Sequence, residues 1–375
     1  MSFDGQTEQF SPVDIRVTAL FVSSLKLKFT LTFPCVGYFV ACTVIVGGFF
    51  GDEGKGKIVS HLALKDKPSI IARAGVGPNA GHTVEYHGKR YSLRLLPSGF
   101  VYDKARLLIG SGVAVNPKVI LQEIELTESK SRFGLDYQCA VIEQKHIDQE
   151  SQSEHLSKTV GSTMSGVGAC NAARVMRTAK LARDVPELSP YLREVDVEVH
   201  TALEKGENVI IEGTQGTFLS LYHGTYPYST SKDTTASAAC ADVGIGPTAV
   251  TDVVVIFKAY VTRVGSGPLV GELSSEETRK RGWQEFGTVT GRERRAAPFN
   301  FDLARRAVHL NGATQIAITK LDVVFPASKS TKEFGSLSEP AKEFIANIER
   351  EVGIPVTLLG TGPAADDIID RRIGA

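Results

Sequence analysis

An apolar run, Thr43-Val44-Ile45-Val46, leads into Gly51-Asp52-Glu53-Gly54-Lys55-Gly56-Lys57, and then into a segment where Ile58, Val59, Leu62 and Ala63 share one helical face. A strand, a glycine-rich loop and a helix in that order open an α/β sheet and leave few other folds. Glycines at the bend let backbone N–H groups approach phosphate, and the helix start adds positive potential. Lys55 and Lys57 supply point charges. Asp52 and Glu53 would repel a bound phosphate, so an acid here points to a metal ligand or to a base beside the transferred group. Gly51 to Lys57 fits the G-x-x-x-x-G-K part of a Walker A loop, but Ile58 stands where the magnesium-binding Ser or Thr would be. Taken alone, the motif also fits a strand-to-helix turn that binds nothing.

The alternation continues along the chain. Candidate strands are Ser69–Ala72, Leu107–Ile109, Cys139–Ile142, Asn208–Ile211, Val253–Phe257, Gln315–Ile318 and Val356–Leu359. Their near-continuous apolar character implies a sheet covered on both faces. Between them, Asn116-Pro117 reads as the cap and first residue of a helix. Asp302 is expected to cap 303–310 with Gly312 ending it, and 340–352 is another helix. Thr83 to Leu93 alternates around His87-Gly88 as a hairpin. The expected fold is α/β: a single large domain around a mostly parallel, doubly wound central sheet, with a P-loop-like phosphate loop after the first strand.

Lys plus Arg and Asp plus Glu each number 42, so the net charge is zero and no nucleic-acid partner is expected. The cysteines (Cys35, Cys42, Cys139, Cys170, Cys240) are scattered, odd in number and without a C-x-x-C pair. That pattern indicates neither a disulfide framework nor a zinc site, and fits a reducing cytoplasm. No charge occurs from Phe29 to Phe50, roughly enough for a membrane span. The second half of that stretch, however, is the strand feeding the glycine loop, and a strand cannot serve sheet and bilayer together. No membrane association is expected. Residues 1–39 are expected to be an N-terminal extension that is poorly structured or precedes the true start, with Val40 at a suitable place for a non-Met start.

Four further loops carry chemistry. Gly75-Val76-Gly77-Pro78-Asn79-Ala80-Gly81-His82-Thr83 follows a strand, at the sheet end where α/β proteins bind ligands. Thr319-Lys320-Leu321-Asp322 ends another strand and looks like the base reader of GTP-binding proteins. There Asp322 could accept from N1–H and the 2-amino group of guanine, and the Lys320 stem could lie along the purine. Thr288-Val289-Thr290-Gly291-Arg292-Glu293-Arg294-Arg295 sets three arginines around a glycine turn, either a solvated cluster or a carboxylate and phosphate clamp. Glu212 to Thr217 and His223 to Ser231 are rich in short donors, as a polar pocket or a long ordered turn would be.

These segments, in this order, closely resemble the adenylosuccinate synthetase family in its shorter, archaeal-looking form, from about Val40 to the C-terminus. G-D-E-G-K-G-K, N-A-G-H-T, G-T-Y-P-Y-x-T-S and T-G-R-x-R-R carry the likeness. The resemblance implies that residues 40–375 form a GTP-binding catalytic domain. It would phosphorylate the 6-oxygen of IMP and then let L-aspartate displace the phosphate. Implied catalytic residues are Asp52, His82, Lys55 and Gln215. Implied GTP contacts are Gly51, Asp52, Glu53, Gly54, Lys55, Gly56, Lys57, Gly81, His82, Thr83, Arg294, Lys320, Leu321, Asp322, Gly360, Thr361 and Gly362. Implied IMP contacts are Asp52, Glu53, Gly54, Lys55, Asn79, Ala80, Gly81, His82, Thr163, Arg177, Gln215, Thr230 and Arg292. For aspartate they are Thr288, Val289, Thr290, Gly291, Arg292 and Arg294. Asp52 and the Gly81 carbonyl would hold one Mg2+ per subunit, and Arg177 would reach the partner's IMP phosphate in a homodimer. Phe50 stands where the family has Trp, Ser165 where many members have an aspartate-holding Arg, and Tyr222 where they have an acid. Met164 and Ala169 break a glycine and proline pattern. A GTP-binding switch without ligase activity is the alternative, and it leaves His82 and the arginine loop unused.

Overall fold

Strand β1 (Cys42–Gly47) is apolar on both sides, with Val44 and Val46 facing one way and Ile45 the other, all fully buried. Such a strand is stable only with neighbours on both edges and helices on both faces. In the computed structural model, which describes residues 41–287 and 291–372, it has both. The expectations for residues 1–39 and Val40 lie outside the described residues.

The remaining strands are β2 (Ile70–Arg73), β3 (His82–Tyr86), β4 (Lys89–Leu93), β5 (Arg106–Ile109), β6 (Phe133–Asp136), β7 (Leu192–Arg193), β8 (Val209–Glu212), β9 (Asp252–Lys258), β10 (Tyr260–Arg263), β11 (Arg295–Pro298), β12 (Gln315–Thr319), β13 (Val356–Gly360) and β14 (Ile368–Asp370). Among the described residues one sheet runs β14-β13-β12-β9-β1-β8-β2-β5-β6-β7. Every neighbouring pair in it is parallel except β13 with β14. The chain moves outward from β1 through β2, β5, β6 and β7. It returns to insert β8 beside β1, then proceeds the other way through β9, β12 and β13. The direction of winding therefore changes at β1, and a crevice opens there at the carboxyl ends of the strands.

Helices Val195–Glu204, Ala236–Val243, Phe301–Asn311 and Glu339–Val352 cover one face, and Lys55–Asp66 with Pro117–Leu126 the other. Ile58, Val59 and Leu62 of the first-loop helix are buried, each contributing roughly 1.5–3 kcal/mol relative to exposure. Their burial fixes where the glycine loop points. β3 and β4 form the expected hairpin around His87-Gly88, and β10 pairs with β11 in a separate two-stranded ribbon.

Two local expectations fail. Cys139–Ile142 is not a sheet strand. Val141 bridges Val115 and Ala140 bridges Leu181, while the sheet position belongs to β6 just before it. Ala140 and Ile142 are buried against Val76 and Val167 instead, and an apolar run alone cannot separate a strand from a buried loop. Asp302 does not cap its helix. Asn300 does, its Oδ1 accepting from Leu303 N at 2.9 Å, and Asp302 lies in the first turn, where its charge suits the helix dipole. Asn116 caps its helix as expected, with Pro117 at the start.

Asn300→Ala is expected to lower stability by about 1 kcal/mol and Asp302→Ala by clearly less. Urea unfolding midpoints of the two variants test this, and equal losses would return the cap to Asp302.

Candidate active site

The glycine loop separates its two acids. Glu53 is turned inward and almost fully buried. Its Oε1 accepts from Phe49 N at 3.0 Å and Gly51 N at 2.8 Å, and its Oε2 from Lys55 Nζ at 2.9 Å. It shapes the loop, and its carboxylate faces no ligand space. Asp52 faces the cleft in the left-handed region (φ 61°), a conformation that costs a non-glycine residue on the order of 1 kcal/mol. Its Oδ1 accepts from Arg294 Nη2 at 2.9 Å. Gly51 and Gly54, at φ 87° and 90°, supply the rest of the turn. Lys55 Nζ also donates to the Gln215 carbonyl, which ties this loop to the one after β8. Burial lowers Lys57 to about 8, and its Nζ donates to the carbonyls of Gly362 and Asp367.

Beneath the second loop lies a buried charge cluster. Arg73 ends β2, Glu212 ends β8 and His82 begins β3; all three are nearly inaccessible. Glu212 Oε1 meets His82 Nδ1 and lies 3.0 Å from Arg73 Nη1, while Ser98 N donates to Oε2 at 2.7 Å. Burial opposes ionisation of Glu212, but Arg73, His82 and the hydrogen bonds outweigh it and hold the carboxyl down at about 2. Burial, then Arg73, pushes His82 down to about 4, so its ring is neutral at pH 7. Nδ1 is turned to Glu212, and Nε2 lies 3.4 Å from Arg73 Nη1.

The arginine loop is the end of a hairpin. Gly287 N donates to Arg292 O at 2.8 Å and Arg294 N to Glu285 O at 2.9 Å, while Thr288, Val289 and Thr290 lie outside the described residues. Arg292 Nη2 donates to Gly161 O at 2.9 Å, linking the hairpin to the Gly161–Ser165 loop. Burial opposes ionisation of Glu285, yet Lys258, Lys320 and Arg294 hold its carboxyl far below the ordinary range.

Three residues named as IMP contacts form a hydrogen-bonded row: Gln215 Nε2 donates to Asn79 Oδ1 at 3.2 Å, and Asn79 Nδ2 to Thr230 Oγ1 at 3.3 Å. Gln215 Oε1 is buried with no partner. Thr163 and Ser165 share a hydrogen bond of 2.8 Å. At the far end, Thr319 Oγ1 donates to Glu53 O at 2.6 Å, which sets the turn bearing Lys320 and Asp322 against the phosphate loop.

All of this surrounds one cleft of about 960 Å3. Of the residues expected from sequence, Gly51, Asp52, Gly54, Lys55, Gly56, Lys57, Asn79, Ala80, Gly81, His82, Thr83, Thr163, Gln215, Thr230, Arg292, Arg294, Lys320, Asp322 and Gly362 line it. Leu321 is fully buried in the core, and Glu53 and Thr361 are likewise buried, so their side chains offer nothing to the cleft. Gly291 and Gly360 are not among its walls, and Arg177 stands apart from them, after the helix Val167–Val175. Sequence reasoning missed Arg73 and Lys258, charges at the ends of apolar strands, and gave no role to Glu212 or Glu285. Charge placed where an apolar run stops is the signal that would have found the two cations. A second cavity, of about 260 Å3, opens at the amino-terminal edge of the sheet, away from these loops.

Among the described residues no three His, Cys, Asp or Glu side chains cluster as a metal cage. Beside the phosphate-binding glycine loop the cleft does offer the Asp52 carboxylate and Gly81, whose carbonyl is, like the carboxylate, a hard oxygen donor of the kind Mg2+ takes alongside substrate phosphates.

The adenylosuccinate synthetase family model matches residues 44–187 and 178–329. The adenylosuccinate synthetase of Methanocaldococcus jannaschii is 55% identical over 336 residues, 89% of this chain and 97% of that one. That of Archaeoglobus fulgidus is 55% identical over 333 residues, 89% and 99%. The fully ligated Plasmodium falciparum adenylosuccinate synthetase superposes with a TM-score of 0.81 at 26% identity, over 88% of this chain and all of that one. Cyanophage S-2L succinoaminodeoxyadenylate synthetase, bound to dGMP and dATP, gives 0.76 at 27% identity, over 88% and 95%.

A histidine that titrates near 6.5 unfolded and near 4 folded leaves the unfolded chain holding more protons in that interval, so stability is lost as pH falls through it. His82→Asn is expected to flatten this part of the urea-midpoint profile. A profile between pH 6.5 and 4 identical to wild type would show that His82 is not buried as a neutral ring.

Proposed function

The chain belongs to the adenylosuccinate synthetase family, the GTP-dependent ligases that join IMP and L-aspartate in AMP biosynthesis, and we propose how its residues divide that reaction. Asp52 is the base. It removes the N1 proton of IMP, so that O6 becomes the nucleophile that attacks the γ-phosphorus of GTP and releases GDP. The amino group of aspartate then adds at C6, loses a proton, and phosphate departs with the O6 oxygen. The observation that carries this reading is the division of labour between neighbouring acids: Glu53 is enclosed by its own loop, while Asp52 is held toward the cleft, with Arg294 on one oxygen. Lys55, His82 and the loop amides line the cleft where the transferred phosphoryl would sit, and preorganised donors act most strongly there. Asp52 and Gly81 O would hold Mg2+, one per subunit, whose charge offsets that of the phosphates.

Gln215, Asn79, Thr230 and Thr163 hold IMP through their short polar side chains. Arg292 and Arg294, with 288–291, take aspartate; Ser165 brings a hydroxyl but no charge, so these arginines are the cations for its carboxylates. Phe50 fills the position of the family's Trp against Phe218 and under the Arg263 guanidinium, 4.5 Å from its ring. Lys320, Asp322 and Gly362 receive guanine, and GTP is the donor. Residues from about 40 onward form the catalytic domain, since the family match begins at residue 44. A cytoplasmic location fits the free thiols of Cys42, Cys139, Cys170 and Cys240. Among the described residues no helix is long and apolar enough to cross a membrane.

Two copies complete each site. Arg177 follows Val175 and Met176, which are 74% and 71% exposed, and an apolar pair beside a cation on the surface suits a self-complementary interface. From there Arg177 would reach the IMP phosphate of the other subunit.

An assay omitting GTP, IMP and aspartate in turn is expected to show adenylosuccinate formation only with all three; GTP hydrolysis indifferent to aspartate or IMP would favour a switch protein. Asp52→Asn is expected to lower turnover by about 10²–10⁴-fold in a folded protein, and near-normal turnover would remove Asp52 from its role. Mixing Arg177→Leu with Asp52→Asn is expected to restore roughly a quarter of wild-type activity, because half the dimers are mixed and each holds one intact site. Verified subunit exchange without any restoration would place Arg177 in its own subunit's site or in none.

A further inference from the structure

The cleft contains a carboxylate that no step above uses. Glu285 sits at the base of the arginine hairpin, in Trp283-Gln284-Glu285-Phe286. Its Oε2 accepts from Lys258 Nζ at 2.7 Å and from Arg294 Nη1. Its Oε1 accepts from the Tyr260 hydroxyl and lies 3.6 Å from Lys320 Nζ. These partners come from separate elements: Lys258 ends β9, Tyr260 begins β10, Lys320 follows β12 and Arg294 lies on the hairpin itself. The other terminal nitrogen of Arg294 holds Asp52 at 2.9 Å. One unbroken chain of charge therefore runs from Lys320 through Glu285 and Arg294 to Asp52. Both Glu285 oxygens are taken up by protein donors, and a carboxylate repels phosphate groups and the carboxylates of aspartate. Glu285 is therefore no direct ligand of phosphate or aspartate.

We propose that Glu285 is the positioning residue that sets two binding elements at once, an inference that rests on the reading of the cleft given above. By holding Arg294 from behind, it fixes the guanidinium between the aspartate hairpin and Asp52. By drawing on Lys320, it sets the lysine stem of the purine reader. Its third task is to neutralise Lys258, whose buried ammonium would otherwise be unpaired, at large cost. The site for aspartate and the site for guanine thus share one anchor, and weakening that anchor disturbs both while leaving the IMP row of Gln215, Asn79 and Thr230 in place.

Glu285→Gln tests this with steady-state kinetics on the full chain. The KM for aspartate is expected to rise at least about tenfold and the preference for GTP over ATP in kcat/KM to fall several-fold, with the KM for IMP changed by less than about twofold. A merely structural residue would move all three KM values together or none. Either pattern overturns the proposal. Should Glu285→Gln fail to fold for want of a partner to Lys258, Tyr260→Phe replaces it. That change removes one donor to Glu285 but keeps every charge and the ring stack on Trp283. The same selective pattern is expected at smaller amplitude, and an aspartate KM equal to wild type in the folded variant overturns the assignment. Adenylosuccinate formation by the wild-type chain in the same assay separates this test from the reading beneath it: no product there contradicts the reaction, whereas product with an unselective Glu285→Gln contradicts only the anchor.

Discussion

Charge buried at the carboxyl edge of a parallel sheet must be paired, and that requirement organises this molecule. Glu212 has no exposed surface, yet its carboxyl is ionised, because Arg73, His82 and Ser98 enclose it. Removing one member of such a cluster leaves an uncompensated charge in the interior. The positions of β2, β3 and β8 are therefore linked through side chains as well as through the sheet ladder. The same device recurs twice nearby. Glu53 closes the phosphate loop and holds Lys55; Glu285 holds Lys258, Arg294 and Lys320. Each acid is an internal counter-ion for cations held at or just beneath the cleft. That arrangement is preorganisation in the sense that matters for catalysis: the donors are already oriented before charge develops in the transition state. A net charge of zero conceals this strong local sorting of sign.

Much of the fold was legible because buried parallel strands write themselves as short apolar runs. β1, β5, β8, β9, β12 and β13 all stand where such runs occur. The runs fail where burial and sheet membership part company. Cys139–Ile142 is buried without being a strand, and β6, containing Gly134 and Asp136, is a strand without an apolar run. The cap at Asn300 was missed because Asp302 is an equally good capping type two positions on, and only the backbone path decides between them.

In the site, motifs located the loops but not the direction of their side chains. Asp52 and Glu53 are adjacent and alike in chemistry, and the left-handed backbone at Asp52 is what sends one to the cleft and the other into the protein. Arg73, Glu212, Lys258 and Glu285 were silent as functional residues because their partners lie far away in sequence. Glu212 and Arg73 are brought together only by the pairing of β2 with β8. The relatives point the same way. A protein bound to dGMP and dATP shares the architecture at 27% identity, and in general a fold does not by itself fix function, which lies in the side chains placed on it.

The central claim is chemical: the purine 6-oxygen attacks the γ-phosphorus and leaves with the phosphate. IMP labelled with ¹⁸O at position 6, turned over with GTP and aspartate, measures this directly through the mass of the released phosphate. The expected result is phosphate carrying the purine's label, one atom for each adenylosuccinate formed. Unlabelled phosphate, with the label released to water, would contradict the account.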